Sequence, residues 1–138
     1  MRSSKEQTMD NNVILKGNEF YTIMPGDDLS GFDFSENIEF KPDILSNVDL
    51  TNVDFSHTTL SFVNLSDSNL FSANLSGADL LGAHSDHSNL YRVNLSEANL
   101  ESTNFYFSDL NGADLTVTNL SWASEKFCNI NLVVYTNK

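Results

Sequence analysis

Cysteine occurs once and proline twice in the 138 residues, and lysine and arginine together number seven against nineteen acids. The lone Cys128 excludes an internal disulfide framework and fits a reducing compartment. No run approaches the length of about eighteen apolar residues that a membrane helix needs. The start, Met1-Arg2-Ser3-Ser4-Lys5-Glu6, lacks the apolar core of a signal peptide, so the expectation is a cytoplasmic protein with no membrane partner, short enough for one domain. Between Pro42 and Glu125 there are eleven acids and one base, Arg92, and the whole chain carries a net charge of −12. Such a surface repels nucleic acid and anionic lipid, both of which are held chiefly through Lys and Arg. Catalytic constellations are missing as well: no Cys/His pair, no phosphate-cradling Gly loop and no converging carboxylate dyad is evident. Neither an enzyme nor a cofactor is expected.

What the chain does have is a five-residue period repeated fifteen times without insertion from Ser46 to Leu120. Fourteen of the fifteen unit centres, at 50, 55, 60 and onward to 120, are Leu or Phe, and only Ser85 departs. Two residues before each centre, all eighteen positions from Val48 to Val133 are Ala, Val, Ser, Thr or Cys. Immediately before the centre, thirteen of fifteen are Asp or Asn, with Thr59 and His84 the exceptions. A period of five fits neither a helix nor a plain strand. Within a unit the apolar pair is two apart, which is strand spacing, and the odd fifth residue keeps its register only if the chain turns once per unit. A short fixed period with one buried pair per unit marks a solenoid.

The pattern, as in Ala78-Asp79-Leu80, Ala98-Asn99-Leu100 and Ala113-Asp114-Leu115, resembles that of the pentapeptide-repeat proteins. The resemblance covers roughly residues 27–135. It implies an all-β fold: a right-handed quadrilateral β-helix in which four units make one coil, here about five coils. On that implication one interior column holds Leu60, Leu80, Leu100 and Leu120, and another Leu50, Leu70, Leu90 and Leu110. Phe105 would stack directly above Ser85 and lean over the space a serine leaves in a close-packed interior.

Domain boundaries follow from where the period holds. Residues 1–11 read as a mobile tail. Residues 12–26, two apolar runs around Gly17, read as a hairpin or bent strand capping the first coil. Residues 27–124 form the solenoid, with one extra residue near Ser35-Glu36 expected as a bulge. Residues 125–138 form a C-terminal cap or a homodimer interface.

Candidate sites lie at the outward positions one and two past each centre. Phe71 and Tyr91 fall in one column with Arg92 adjacent, Tyr106, Phe107 and Phe127 cluster at the preceding corner, and Phe62 and Trp122 lie on another. Exposed aromatics beside a lone cation suit a protein partner, although aromatic ladders are also ordinary sheet neighbours. His84, Asp86 and His87 offer a weak metal candidate whose spacing matches no strong signature. Ser56, Ser76, Ser96 and Thr116 form a hydroxyl column better explained as turn residues than as an ice-binding array. Two functions are therefore weighed. The first is a rigid scaffold that presents the aromatic corner to a protein. The second comes from the resemblance: some pentapeptide-repeat proteins protect type II topoisomerases (gyrase) from quinolones by mimicking DNA, and Asp49, Asp54, Asp79, Asp109 and Asp114 would then form the anionic surface.

Overall fold

The structure, a computed structural model, describes residues 13–16, 19–31, 45–124 and 128–130. Strands β1 (Val13–Lys16) and β2 (Glu19–Thr22) form an antiparallel hairpin that pairs Val13 with Thr22 and Lys16 with Glu19. The expected hairpin is therefore present. After it, every pairing is an isolated parallel bridge centred on the residue before a unit centre, such as Asn69 with Asn89 and Asn74 with Asn94. From Asp49 onward each bridge joins residues twenty apart, so one coil has four five-residue sides. Among the described residues, no helix is long and apolar enough to cross a membrane.

The five-residue unit is explained by where its backbone N–H groups go. In the unit 88–92, Ser88 N donates to Ser85 O within the turn at 3.3 Å, and Asn89 N donates to Ser68 O of the coil below at 3.0 Å. Leu90 N donates to Asp109 O of the coil above at 2.8 Å, and Arg92 N to Asn111 O at 3.0 Å. The fifth donor, Tyr91 N, is taken by the side chain of Asn89 at 3.1 Å. Unpaired backbone donors are costly once removed from water, and Asp or Asn two residues upstream of that amide is the side chain that satisfies it locally. The near-invariance of Asp and Asn before the centre is thus a hydrogen-bond requirement, met again at Ser76, Ser96, Glu101 and Thr116.

The second residue past each centre has positive φ throughout, from Asn47 to Trp122. With the residue before it at negative φ, this is the sign pattern of a type II turn. Glycine fills three of these places, Gly77, Gly82 and Gly112, while side-chain-bearing residues as bulky as Phe62, Val117 and Trp122 fill others. The cross-coil bonds on both sides of the turn hold them there against the usual steric preference.

Inside, the Leu and Phe centres form the core as expected: Leu50, Leu60, Leu70, Leu80, Leu90, Leu100 and Leu110 are at most 2% exposed, and Leu120 is partly buried. The small positions two before each centre, from Val48 to Ala113, are buried beside them, and the partly buried Ala123 and Cys128 pack against the same core. Where the small residue is polar, its hydroxyl finds a carbonyl: Thr103 Oγ1 donates to Leu80 O and Ser88 Oγ to Leu65 O, both at 2.8 Å. Ser85 and Phe105 are both buried. Ser85 lies among Ser88, whose hydroxyl is 3.3 Å from its own, and Ser108, whose hydroxyl donates to its carbonyl. A satisfied serine cluster therefore occupies the one polar centre.

The start of the solenoid differs from expectation. Ile23 and Leu29 join the core, and Leu29 N donates to Asp54 O while Asp54 N donates to Asp27 O, at 2.8 and 3.0 Å. The bridge there, Asp28 with Asp54, spans 26 residues rather than twenty. The first turn of the solenoid is thus six residues longer than the rest, more than one inserted residue accounts for. The bulge expected near Ser35-Glu36, the tail at 1–11 and most of the segment 125–138 lie outside the described residues.

Candidate binding face

One side of the coil carries Asp49, Asn69, Asn89 and Asp109, successive partners in the bridge series. Their side chains form a ladder: Asn89 Nδ2 donates to Asn69 Oδ1 at 2.9 Å, and Asn69 Nδ2 to Thr51 Oγ1 at 2.9 Å and Asp49 Oδ1 at 3.4 Å. Asn89, from this ladder, and Asp109 are the floor of an open groove lined also by Phe71, His87, Ser88, Tyr91 and Phe107. The residues two past the floor make one wall, where Phe71 and Tyr91 stack with centroids 5.8 Å apart and planes 11° from parallel. The residues two before the floor make the other, where His87 and Phe107 stack at 5.2 Å and 18°. Tyr106 meets Phe107 edge-on at 4.4 Å, and the Arg92 guanidinium lies 5.3 Å from the Tyr91 ring centroid.

Of the five sequence-chosen partner residues, Phe71, Tyr91 and Phe107 line this groove, while Arg92 and Tyr106 are not among its lining residues and touch Tyr91 and Phe107 respectively. Their exposure is a correction: Phe71, Tyr91 and Tyr106 are half-buried, and among the five only Phe107 and Arg92 are exposed. The position one past the centre lies against its counterparts in adjoining coils, so a large ring there is covered on its faces. Phe62 and Trp122, 60% and 87% exposed, stand apart at another corner. The Phe62 ring leans over Gly82, where an added Cβ would come within 2.6 Å of it, and the His57 ring occupies the matching place over Gly77 at 2.5 Å.

His87 is the groove residue that the sequence put in another role. His84, Asp86 and His87 are neighbours in sequence, but among the described residues no group of three His, Cys, Asp or Glu could hold a metal ion. His87 stacks on Phe107, while Asp86 accepts from Ser66 Oγ at 2.7 Å. The twenty-residue spacing from 87 to 107 is the signal that pairs them.

The anionic-surface residues all do structural work. Asp49, Asp54, Asp79, Asp109 and Asp114 each accept from the backbone N–H two residues on, at 3.1, 2.8, 3.1, 3.0 and 2.9 Å. Asp54 and Asp79 also receive the amides of Asn74 and Asn99 from the coil above, at 3.1 and 2.9 Å. Their charge is displayed on three different sides of the coil, as the bridge series to which they belong requires.

The pentapeptide-repeat profile, described as "Pentapeptide repeats (8 copies)", matches residues 49–84, 68–105 and 86–116. No curated protein sequence matches the chain. Among solved structures, the chain is similar to the pentapeptide repeat protein Rfr23 from the cyanobacterium Cyanothece 51142, with 28% identity over 80% of this chain and 89% of that one and a TM-score of 0.57. It is also similar to a pentapeptide repeat protein from Nostoc Pcc 7120, at 23% identity over 71% and 76% of the two chains and a TM-score of 0.44. Full-length QnrB1, a plasmid-mediated fluoroquinolone resistance protein, matches at 16% identity over 81% and 78% with a TM-score of 0.24, too distant to carry function. Fifteen uninterrupted units, coils of twenty residues and the profile match agree: the chain belongs to the pentapeptide-repeat family.

Proposed function

We propose that this chain is a non-enzymatic, cytoplasmic binding module: a right-handed quadrilateral β-helix of about five coils, capped at its N-terminal end by the hairpin. Its binding surface is the groove between the two aromatic stacks, and its partner is a protein. The observation that carries the reading is the concentration of Phe71, Tyr91, His87 and Phe107 around one groove. Tyr and Arg are enriched among the residues that anchor interfaces. The test is capture from native lysate at low and high salt, using wild type and a Phe71→Ser/Tyr91→Ser variant. A partner kept at high salt and lost with the variant supports the reading; a partner indifferent to the variant contradicts it.

A second reading, DNA mimicry at a type II topoisomerase, is favoured by charge. Between residues 45 and 124 there are nine carboxylates and only Arg92 to oppose them. Contacts of that kind weaken as salt rises. Because the candidate aspartates hold turns, the informative substitutions are Asp→Asn at 49, 54, 109 and 114, which remove charge and keep the acceptor oxygen. Retention of topoisomerase binding by that variant would end the second reading.

A further inference from the structure

We infer that the groove takes an extended segment of a partner protein, four apolar residues in β conformation flanked by basic ones, a deepening that rests on the protein-binding reading above. The placement of the rings, the groups left over in the floor and the charge of the solenoid point to this occupant.

The four rings alternate between the walls along the solenoid axis. Phe71 and Tyr91 stand two residues past positions 69 and 89, and His87 and Phe107 two residues before positions 89 and 109, on coils joined by the bridges Asn69 with Asn89 and Asn89 with Asp109. A ligand ascending the groove therefore meets Phe71 on one wall, then His87 and Tyr91 on opposite walls of the next coil, then Phe107 on the wall opposite Phe71. From the first ring to the last is two coil spacings, about 9.6 Å. Successive side chains of an extended chain point to opposite sides, and three residues advance about 10 Å. Four consecutive residues of a strand along the axis thus take the two walls in turn, the first against Phe71 and the fourth against Phe107. A three-residue helical repeat returns its fourth side chain to the first side and leaves one phenylalanine unmatched.

The floor offers a backbone its partners. Asn89 Nδ2 carries two N–H groups and gives one to Asn69 Oδ1. Asp109 Oδ1 takes the backbone and side-chain amides of Asn111 at 3.0 and 2.7 Å, and among the described residues no donor meets Asp109 Oδ2. One donor and one acceptor are therefore left over on neighbouring coils of the same groove. An extended chain presents unpaired N–H and C=O groups along its edge. Bonds to that edge hold the segment while its alternate side chains select the sequence.

Charge sets the flanks. Between residues 45 and 124 nine carboxylates stand against the single base Arg92, and Asp109 lines the groove itself. Basic residues on either side of the apolar four complement that field.

The test uses the whole chain, isotopically labelled, titrated with a synthetic peptide of four valines between two pairs of lysines. Two control peptides accompany it, one with prolines for the two middle valines and one with glutamates for the lysines. Saturable backbone amide shifts at Phe71, His87, Asn89, Tyr91 and Phe107 are expected. Affinity should fall about tenfold or more for each control peptide, for the Phe71→Ser/Tyr91→Ser variant of one wall and for the Phe107→Ser variant of the other, each variant first shown to keep the folded spectrum. A proline or glutamate peptide that binds as tightly overturns the inference, as does a loss of affinity with only one wall's variant. No saturable shift, or shifts elsewhere on the coil, also overturns it. If the captured protein partner depends on Phe71 and Tyr91 while the valine peptide fails, the protein-binding reading survives and this inference falls; if neither depends on those rings, both fall.

Discussion

The face carrying Asn69, Asn89 and Asp109 and the next one, carrying Asn74, Asn94 and Asp114, share one backbone plan. Leu90 N and Leu95 N both reach up to the coil above at 2.8 Å, and Asn89 and Asn94 each close the following turn at 3.1 and 3.0 Å. They differ in what flanks them. The first is walled by stacked aromatic rings; the second has Ser76, Ser96 and Thr116 beside it, with Ser96 Oγ turned back onto Asn94 Oδ1 at 2.7 Å. Stability therefore resides in the centres, the small positions and the Asx acceptors, which the two faces have in common. The proposed function places recognition in the flanks, which differ between the two faces.

If that division is correct, substitutions in the shared parts should cost the same on both faces. The largest effect is expected in the core. Leu90→Ala and Leu95→Ala remove side chains that are 1% and 0% exposed, and each should lower stability by about 2–5 kcal/mol. Chemical denaturation will check this, and a marked inequality between them would show that one face supports the coil more than the other.

Glycine positions sharpen the comparison at the corners. Gly82 and Gly112 share positive φ, +62° and +70°, but a Cβ at Gly82 meets the Phe62 ring at 2.6 Å, whereas at Gly112 its nearest neighbour is Arg92 Cγ at 3.4 Å. Gly112→Ala should cost about 1–2 kcal/mol from backbone strain. Gly82→Ala should cost more, because the ring must also leave its seat, and equal melting shifts would mean that the ring moves freely.

Removing the turn acceptor is a smaller perturbation. Asn89→Ala and Asn94→Ala each orphan one backbone N–H and should each cost about 1 kcal/mol. Only the first should weaken partner binding, since Asn89 is in the groove floor. The smallest effect has the opposite sign: Val117, a β-branched residue at φ 60° and 59% exposed, should be improved by glycine, Val117→Gly raising stability by about 1 kcal/mol or less. Unchanged or lowered stability would show that Val117 contributes packing that offsets its strain.

The columns of Leu and Phe were legible in the sequence because burial in a solenoid repeats with the coil and tolerates little else at those positions. Phe71, Tyr91, Arg92, Tyr106 and Phe107 could likewise be grouped by counting along the chain. Other features could not. Positive φ at Phe62, Arg92 and Trp122 runs against residue preference, since the turn is imposed by bonds from neighbouring coils rather than chosen by the residue that occupies it. His87 was associated with its sequence neighbours His84 and Asp86 because a motif reads along the chain, whereas a stack with Phe107 reads across it. The aspartates looked like free surface charge because sequence shows a carboxylate and not the amide it accepts from. The 26-residue spacing at Asp28 and Asp54 has no counterpart in the pattern, which carries only one extra residue at that point.

The division between shared frame and variable flank is tested most directly by a matched pair of variants in one binding and melting experiment: Phe71→Ser/Tyr91→Ser on the aromatic face and Ser76→Ala/Ser96→Ala on the hydroxyl face. Both proteins should remain folded, the first losing the stacking contribution of about 1 kcal/mol together with the apolar burial of two half-buried rings. The captured partner should be lost with the first and fully retained with the second. Equal retention by both, or loss with the hydroxyl-face variant, would contradict the assignment of recognition to the aromatic groove.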